Sequence, residues 1–300
     1  MGSNFPEELV PGMINKVRGK SSLATLSTQM PIAFTGNKLF TFSFDKDVAI
    51  VGENAAKPVG DATLGAVTVS PVKVVYQMRA SDEFMTASDE YQLGILRAFG
   101  DGWARKLARG IDIMAFHRAN PATGTVSTLL QTTACFDTAV TTNVVIAGSG
   151  SGQVSGADAQ VEAAIAQVEA GEHEVTGMAM APAFRSSLAA ITLQSGEAKF
   201  PELAWGNAPS VINGLEVSVN PTVSTLGNST ASLDLAIVGN FEDYFRWGYA
   251  KEMPIEVIEY GDPDGQGDLK KLNQVLIRGE AYVGFSVLDP SAFSIIKSAS

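Results

Sequence analysis

Residues 81–120 read SDEFMTASDEYQLGILRAFGDGWARKLARGIDIMAFHRAN, and nothing between Asp89 and His117 forces a break. One helix over 89–117 would reach about 43 Å at roughly 1.5 Å per residue. A mean helix has only about 11–12 residues, so this stretch dominates any fold the chain can adopt. Leu96, Phe99, Trp103, Leu107, Ile111 and Met114 recur every three or four residues. That spacing builds one apolar stripe. Asp82, Glu83, Asp89 and Glu90 come early and Arg97, Arg105, Lys106, Arg109 and Arg118 come later, an order that suits the helix dipole. Ser88 is placed to cap the start, and Asn120-Pro121 to stop the end. Gly100 and Gly102 each cost about 1 kcal/mol against Ala, which implies close packing there. A core helix explains the stripe; a spine carrying several layers of an assembly is the larger reading.

Composition narrows the chemistry. Three hundred residues with 45% apolar content can bury a sizeable core in one large domain or two ordinary ones. The net charge of −11 makes the chain a poor clamp for DNA or RNA, because phosphate binding needs clustered Lys and Arg. Cys135 is the sole cysteine, which excludes an intrachain disulfide and a multi-thiolate metal site. His117 and His173 lie far apart, so a His-rich catalytic or zinc centre is not expected, nor is any cofactor. The start, MGSNFPEELVPG, lacks a secretory pattern. No apolar run approaches the roughly 20 residues of a membrane span. A cytosolic origin is expected.

Taken in order, residues 9–37 carry Lys16, Arg18 and Lys20 and no acid, a local charge inversion. It reads as a mobile tail or as an arm lying on an acidic neighbour. Residues 38–44 alternate, with Phe40, Phe42 and Phe44 on one face, and predict a strand. Residues 67–78 predict a second, with Pro71 at an edge or bulge. The two can pair as a long hairpin whose outer part, 45–66, is rich in Gly, Ala and charge. A hairpin this apolar needs a surface to lie on. After the long helix come a strand at 143–146, a helix at 157–170, a buried strand at 175–181 and a helix opened by Pro182. Strands follow near 215–221, 233–238, 254–259 and 275–288, the last turned by Asp289-Pro290 into 292–296. These elements make an α+β chain.

Several motifs resemble chemistry without completing it. Gly148-Ser-Gly150-Ser-Gly152 sits between strand and helix but is not GxGxxG and has no Lys-Ser/Thr partner, so a flexible loop is expected. Asp262, Asp264 and Asp268 resemble part of a calcium loop, but position 273 is Asn where a bidentate Glu belongs. A solvated turn is expected. Ser151 is not in a nucleophile elbow. Asp89 and Glu90 are explained by the helix start, Met178 and Met180 by core packing. Trp205 reads as a half-buried loop residue or an interface anchor.

The serial order of parts is more specific than any one of them. Val51-Gly52-Glu53-Asn54-Ala55-Ala56-Lys57-Pro58 lies in the hairpin, followed by Ser81-Asp82-Glu83 and the long helix. Then come Met180-Ala181-Pro182, Asn213-Gly214-Leu215-Glu216-Val217, Val238-Gly239-Asn240-Phe241-Glu242-Asp243-Tyr244, Arg278-Gly279-Glu280-Ala281-Tyr282-Val283 and Leu288-Asp289-Pro290-Ser291-Ala292-Phe293. Over nearly the whole chain this resembles the major capsid proteins of tailed bacteriophages, with the Hong Kong 97-like fold. The resemblance implies an N-terminal arm (1–35), an extended E-loop (36–72), a peripheral P-domain with the spine helix (73–124 and 240–284) and an axial A-domain (125–239 and 285–300). It implies a structural protein of the virion, not an enzyme. Such a protein assembles in the host cytoplasm into hexamers and pentamers that close an icosahedral shell around double-stranded DNA without reading its sequence.

The implied inter-subunit contacts are Gly52, Glu53, Lys57 and Pro58 in the E-loop, Arg97, Asp101, Arg105 and Arg109 on the charged helix face (with Asp112 beside them), and Lys16, Arg18 and Lys20 in the arm. Lys46 and Lys57 sit in the loop, and no motif marks either as a cross-linking residue. The start at Met1 suggests a separate scaffolding protein; a portal and decoration proteins are further expected partners. The rival readings are an encapsulin-like compartment shell and an α/β nucleotide-binding enzyme using the Gly148–Gly152 loop.

Overall fold

In the computed structural model the described residues are 21–44, 48–53, 55–57, 59–60, 62–86, 88–251 and 255–299. A short helix, α1 (Ser22–Leu26), precedes an antiparallel hairpin of β1 (Asn37–Phe44) and β2 (Ala62–Val69). The next strand, β3 (Val72–Ser81), is separate. The expected single strand over 67–78 is therefore two. Pro71 has no N–H to give a ladder and fixes φ, so it breaks the run.

The long helix, α2, spans Asp89–His117 as the sequence predicts. Ser88 stands at its N-cap position but makes no side-chain cap bond. The helix ends earlier than Asn120-Pro121: Arg118 turns left-handed at φ 54°, and its N–H bonds Met114 O at 3.0 Å.

Two larger sheets organise the rest of the described chain. One is built on β11 (Gln274–Val287). β3 pairs antiparallel along one side, from Ser81 opposite Gln274 to Val72 opposite Val283. Along the other side lie β9 (Phe245–Lys251) and β10 (Ile255–Ile258), end to end. The second sheet has six strands in the order β4 (Val144–Ala147), β12 (Phe293–Ser298), β8 (Asp234–Gly239), β5 (Gly177–Met180), β7 (Leu215–Val219) and β6 (Val211–Ile212). The pairs β4–β12 and β5–β7 are parallel. Helices α3 (Ala157–Glu169) and α4 (Pro182–Ala189) cover one face.

The apolar stripe does what its spacing requires. Phe99, Trp103, Leu107, Ile111 and Met114 are buried, and Leu96 packs beside them. The stripe meets Trp247, Ile277, Val283 and Phe285 of the first sheet. Gly279 lies beneath the Trp103 indole, where an added Cβ would sit 3.0 Å from ring atoms. A larger residue there would push the helix off its sheet. Phe136, which periodicity did not single out, joins the two sheets. Its ring is 5.3 Å from Phe245, 4.9 Å from Phe293 and 5.9 Å from Phe241. Such aromatic contacts stabilise by about 0.5–1.5 kcal/mol each beyond area burial.

Candidate assembly interface

The hairpin is rooted at one end and bare at the other. Val69 is fully buried, against Gly284 of β11. Farther out, Val48 and Ile50 are as exposed as in an extended chain, Val59 is 79% exposed and Phe40 63%. Gly52, Glu53 and Lys57 are exposed in the same outer part. Pro58, Lys46 and the side chains of Phe42 and Phe44 lie outside the described residues, as do Lys16, Arg18 and Lys20.

On α2, Arg97 and Arg105 are exposed, while Asp101 and Arg109 are half-buried. The Arg105 side chain donates to Asp101 O at 3.2 Å. On another side of α2 an apolar groove of about 340 Å³ lies between it and β3, lined by Tyr76, Met78, Ile95, Phe99, Gly102 and Trp103. Lys106 also lines it.

Asp112 does not belong to the exposed charged face. It is fully buried. Its Oδ2 accepts from Ser22 N at 2.9 Å and Thr222 Oγ1 at 3.0 Å, and Oδ1 from Ser21 Oγ at 2.5 Å and Leu23 N at 3.3 Å. The carboxylate thus fastens the start of α1 to the middle of the long helix. Helical spacing put Asp112 near Arg109, but α1 folds over that turn and removes it from water. Nothing in the sequence pattern paired Asp112 with this segment.

A second buried polar cluster closes the far end of α2. His117 Nδ1 lies 2.9 Å from Asp137 Oδ2 and 3.0 Å from Asp234 Oδ2, and Nε2 lies 3.0 Å from Thr222 O. Lys297 Nζ lies 2.8 Å from Asp137 Oδ1 and 3.2 Å from Asp234 Oδ1. Both ring nitrogens face acceptors, so both donate and the ring is imidazolium. Burial lowers its pKa, but the two carboxylates win and hold it up at about 9. Burial likewise raises Asp234, and His117 and Lys297 overcome it, to about 2. His117, Asp137 and Asp234 are close enough to share a cation. Imidazolium and ammonium already balance the two carboxylates, so the cluster reads as an ion network.

The other sequence motifs resolve into packing. The Asp262–Asp268 turn is not simply solvated. Arg79 reaches in from β3, donating to Asp264 Oδ2 at 2.8 Å and Gly267 O at 2.8 Å, with Asp262 Oδ1 at 3.5 Å. The cation that the acidic spacing hinted at is this guanidinium, which holds Asp264 down at about 2. Arg79→Ala is expected to raise amide exchange across 261–268 severalfold and leave exchange in α2 unchanged. In the Gly148–Gly152 loop, Gln153 Oε1 accepts from Gly150 N at 2.8 Å, filling the turn from within. Cys135 is buried, which pushes its thiol up to about 12 and leaves it unreactive. Trp205, expected half-buried, is fully exposed.

A sequence profile of the Phage capsid family matches residues 2–298. The chain belongs to the phage capsid family. It is a major capsid protein, a subunit that assembles with its own copies into the shell of the virion. Its fold is Hong Kong 97-like. The solved chain from Mycobacterium phage Ogopogo is 32% identical, at a TM-score of 0.78 over 93% of this chain and 92% of that one. A chain from Gordonia phage Cozz is 26% identical, at 0.76 over 93% and 87%. A capsid chain of an empty GTA particle shares the fold at 0.63 and 15% identity, over 94% and 90%. No curated protein sequence matches the chain. In this capsid subunit the bare outer hairpin and the helix groove are among the described surfaces that an isolated copy leaves without cover.

Proposed function

We propose that subunits join as hexamers and pentamers around double-stranded DNA, and that each β1–β2 hairpin is the E-loop that reaches onto a neighbour. One observation carries this: Val48 and Ile50 are completely exposed on a two-stranded hairpin, which is marginal in water without a surface beneath it. The receiving surface is the groove between α2 and β3 of the next subunit. Lys106 lines it, Arg97, Asp101, Arg105 and Arg109 lie elsewhere around the same helix, and Glu53 and Lys57 on the hairpin offer both signs of charge to them.

The division of labour follows. Residues 1–35 form the arm and 36–72 the E-loop. Residues 73–124 with 240–284 form the P-domain around the β11 sheet and α2. Residues 125–239 with 285–300 form the A-domain around the six-stranded sheet. Scaffolding, portal and decoration proteins are the partners of assembly in the host cytoplasm. The chain works as structure rather than as an enzyme. The tying of Asp112, His117, Asp137 and Asp234 into packing supports that reading.

Negative-stain microscopy of the purified chain tests it. Rings or closed shells are expected; a clean monomer or dimer under all conditions overturns it. Deleting residues 51–61 is expected to abolish assembly while the circular dichroism spectrum is kept. Charge reversal at Arg105 is expected to weaken assembly more than folding; equal loss of both would place Arg105 in the fold rather than the interface.

A further inference from the structure

Trp205 stands out among the described side chains that face solvent. It is 104% exposed, and its backbone is left-handed at φ 57°, ψ 27°. That conformation is disfavoured for a non-glycine residue. Tryptophan is a frequent anchor of protein interfaces, where its large ring is buried and its N–H finds an acceptor. Leu193 and Val211 are half-exposed on the same part of the chain, and Val211 belongs to β6, the edge strand of the six-stranded sheet.

The same part of the molecule carries a receptor of matching chemistry. A cavity of about 260 Å³ opens between α3, α4 and the sheet, lined by Val161, Ile165, Phe200, Leu203, Ile212 and Leu215. Glu162 also lines it and is exposed, so a carboxylate is available to accept from an indole N–H. Leu203 is part of the wall, and Trp205 projects only two residues later. Each subunit therefore carries both halves of a contact, as a surface built from repeated copies requires.

We propose that Trp205 of one subunit seats in the cavity of another, with its indole N–H donated to Glu162 of that copy. The proposal rests on the shell reading above and names one anchor within it. A second copy is the occupant because the chain assembles with its own copies, and because the apolar walls and the acceptor fit an indole.

The three tryptophans make the test direct. Trp103 and Trp247 are 2% and 0% exposed, so acrylamide quenching of the unassembled subunit reads Trp205. On assembly into shells of this chain alone, the quenchable emission should disappear and the spectrum should shift to the blue. Shells in which Trp205 stays quenchable overturn the inference and leave the shell reading intact. Protection that appears only when another virion protein is added also overturns it, since the occupant is then not a second copy. Failure of the chain to form any shell overturns both. Placement in the cavity is read separately. Tagged Trp205→Cys subunits are co-assembled with untagged Glu162→Cys subunits and treated with a short bis-maleimide, because an indole bonded to a carboxylate holds the two Cα atoms beyond the reach of a disulfide; a cross-link between tagged and untagged chains is expected. Buried Cys135 does not compete. Shells that form without that cross-link overturn the assignment of the cavity.

Discussion

Asp112→Ala is expected to lower stability by on the order of 3 kcal/mol and to free the segment around α1 from the long helix. The backbone N–H groups of Ser22 and Leu23 both donate to this buried carboxylate, and an unsatisfied buried donor costs about 1–3 kcal/mol. The loss is moderated because the variant no longer buries a carboxyl group. Denaturant unfolding gives the magnitude, and amide exchange at Ser22 and Leu23 gives the place. Exchange there should rise by orders of magnitude while the centre of α2 stays protected. Unchanged protection would show that the contacts of Leu23 and Leu26 hold α1 without the carboxylate.

The same residue has a pH signature. Burial outweighs the donors and pushes the Asp112 carboxyl from 3.8 up to about 6. The folded chain therefore binds this proton more tightly than the unfolded chain. Its contribution to stability is greatest below 3.8, declines as pH rises to about 6 and is level above that. Asp112→Asn should remove that decline. Unfolding free energies at pH 4, 5, 6 and 7 for the two proteins decide it, and equal slopes would sink the assignment.

His117→Ala should have the largest effect of any substitution at the end of α2, about 3–5 kcal/mol at pH 7, as expected for removing one partner of a buried ionic cluster. It would leave Asp137 and Asp234 with Lys297 as their nearest cation. His117 is raised from 6.5 to about 9, so its contribution is fully present below pH 6.5 and is lost as pH rises through 9. Asp234 is lowered from 3.8 to about 2, so its share is present above 3.8 and is lost as pH falls towards 2. The wild-type protein should lose stability between pH 6.5 and 9.5, and His117→Gln should not lose it in that window. Titration of the His117 ring proton by NMR gives an independent reading. A midpoint near or below 6.5 would show that the ring is not held as imidazolium.

Much of the architecture was legible from local pattern. The stripe from Leu96 to Met114 marked both the long helix and its buried face, because a 3.6-residue period in side-chain character is a property of the chain itself. The bounds of that helix were legible too, but not how it stops. Its stop depends on Arg118 entering a left-handed turn, and Arg carries no sign of that. Pro71 was seen as a disturbance within a strand, yet whether it bends or divides the strand depends on which partners are available. β2 pairs with β1, while β3 pairs with β11, two hundred residues away.

The proposed interface was legible in kind and less so in place. An apolar hairpin that could not stand alone, and a serial order of motifs resembling a capsid protein, were available from the amino acids. Which charged residues face water was not. Arg97 and Arg105 do, whereas Asp112, one helical turn from Ala108 and Arg109, is sealed by a segment ninety residues earlier in the chain. His117, Asp137, Asp234 and Lys297 are spread over 180 positions and share no spacing that could announce an ion network. The sequence by itself determined the long helix, its apolar stripe and the protein's family, since these follow from short-range periodicity and the order of segments. Tertiary structure alone decided which carboxylates became buried anchors and left Trp205 in the open, because burial is set by what chain closure brings overhead.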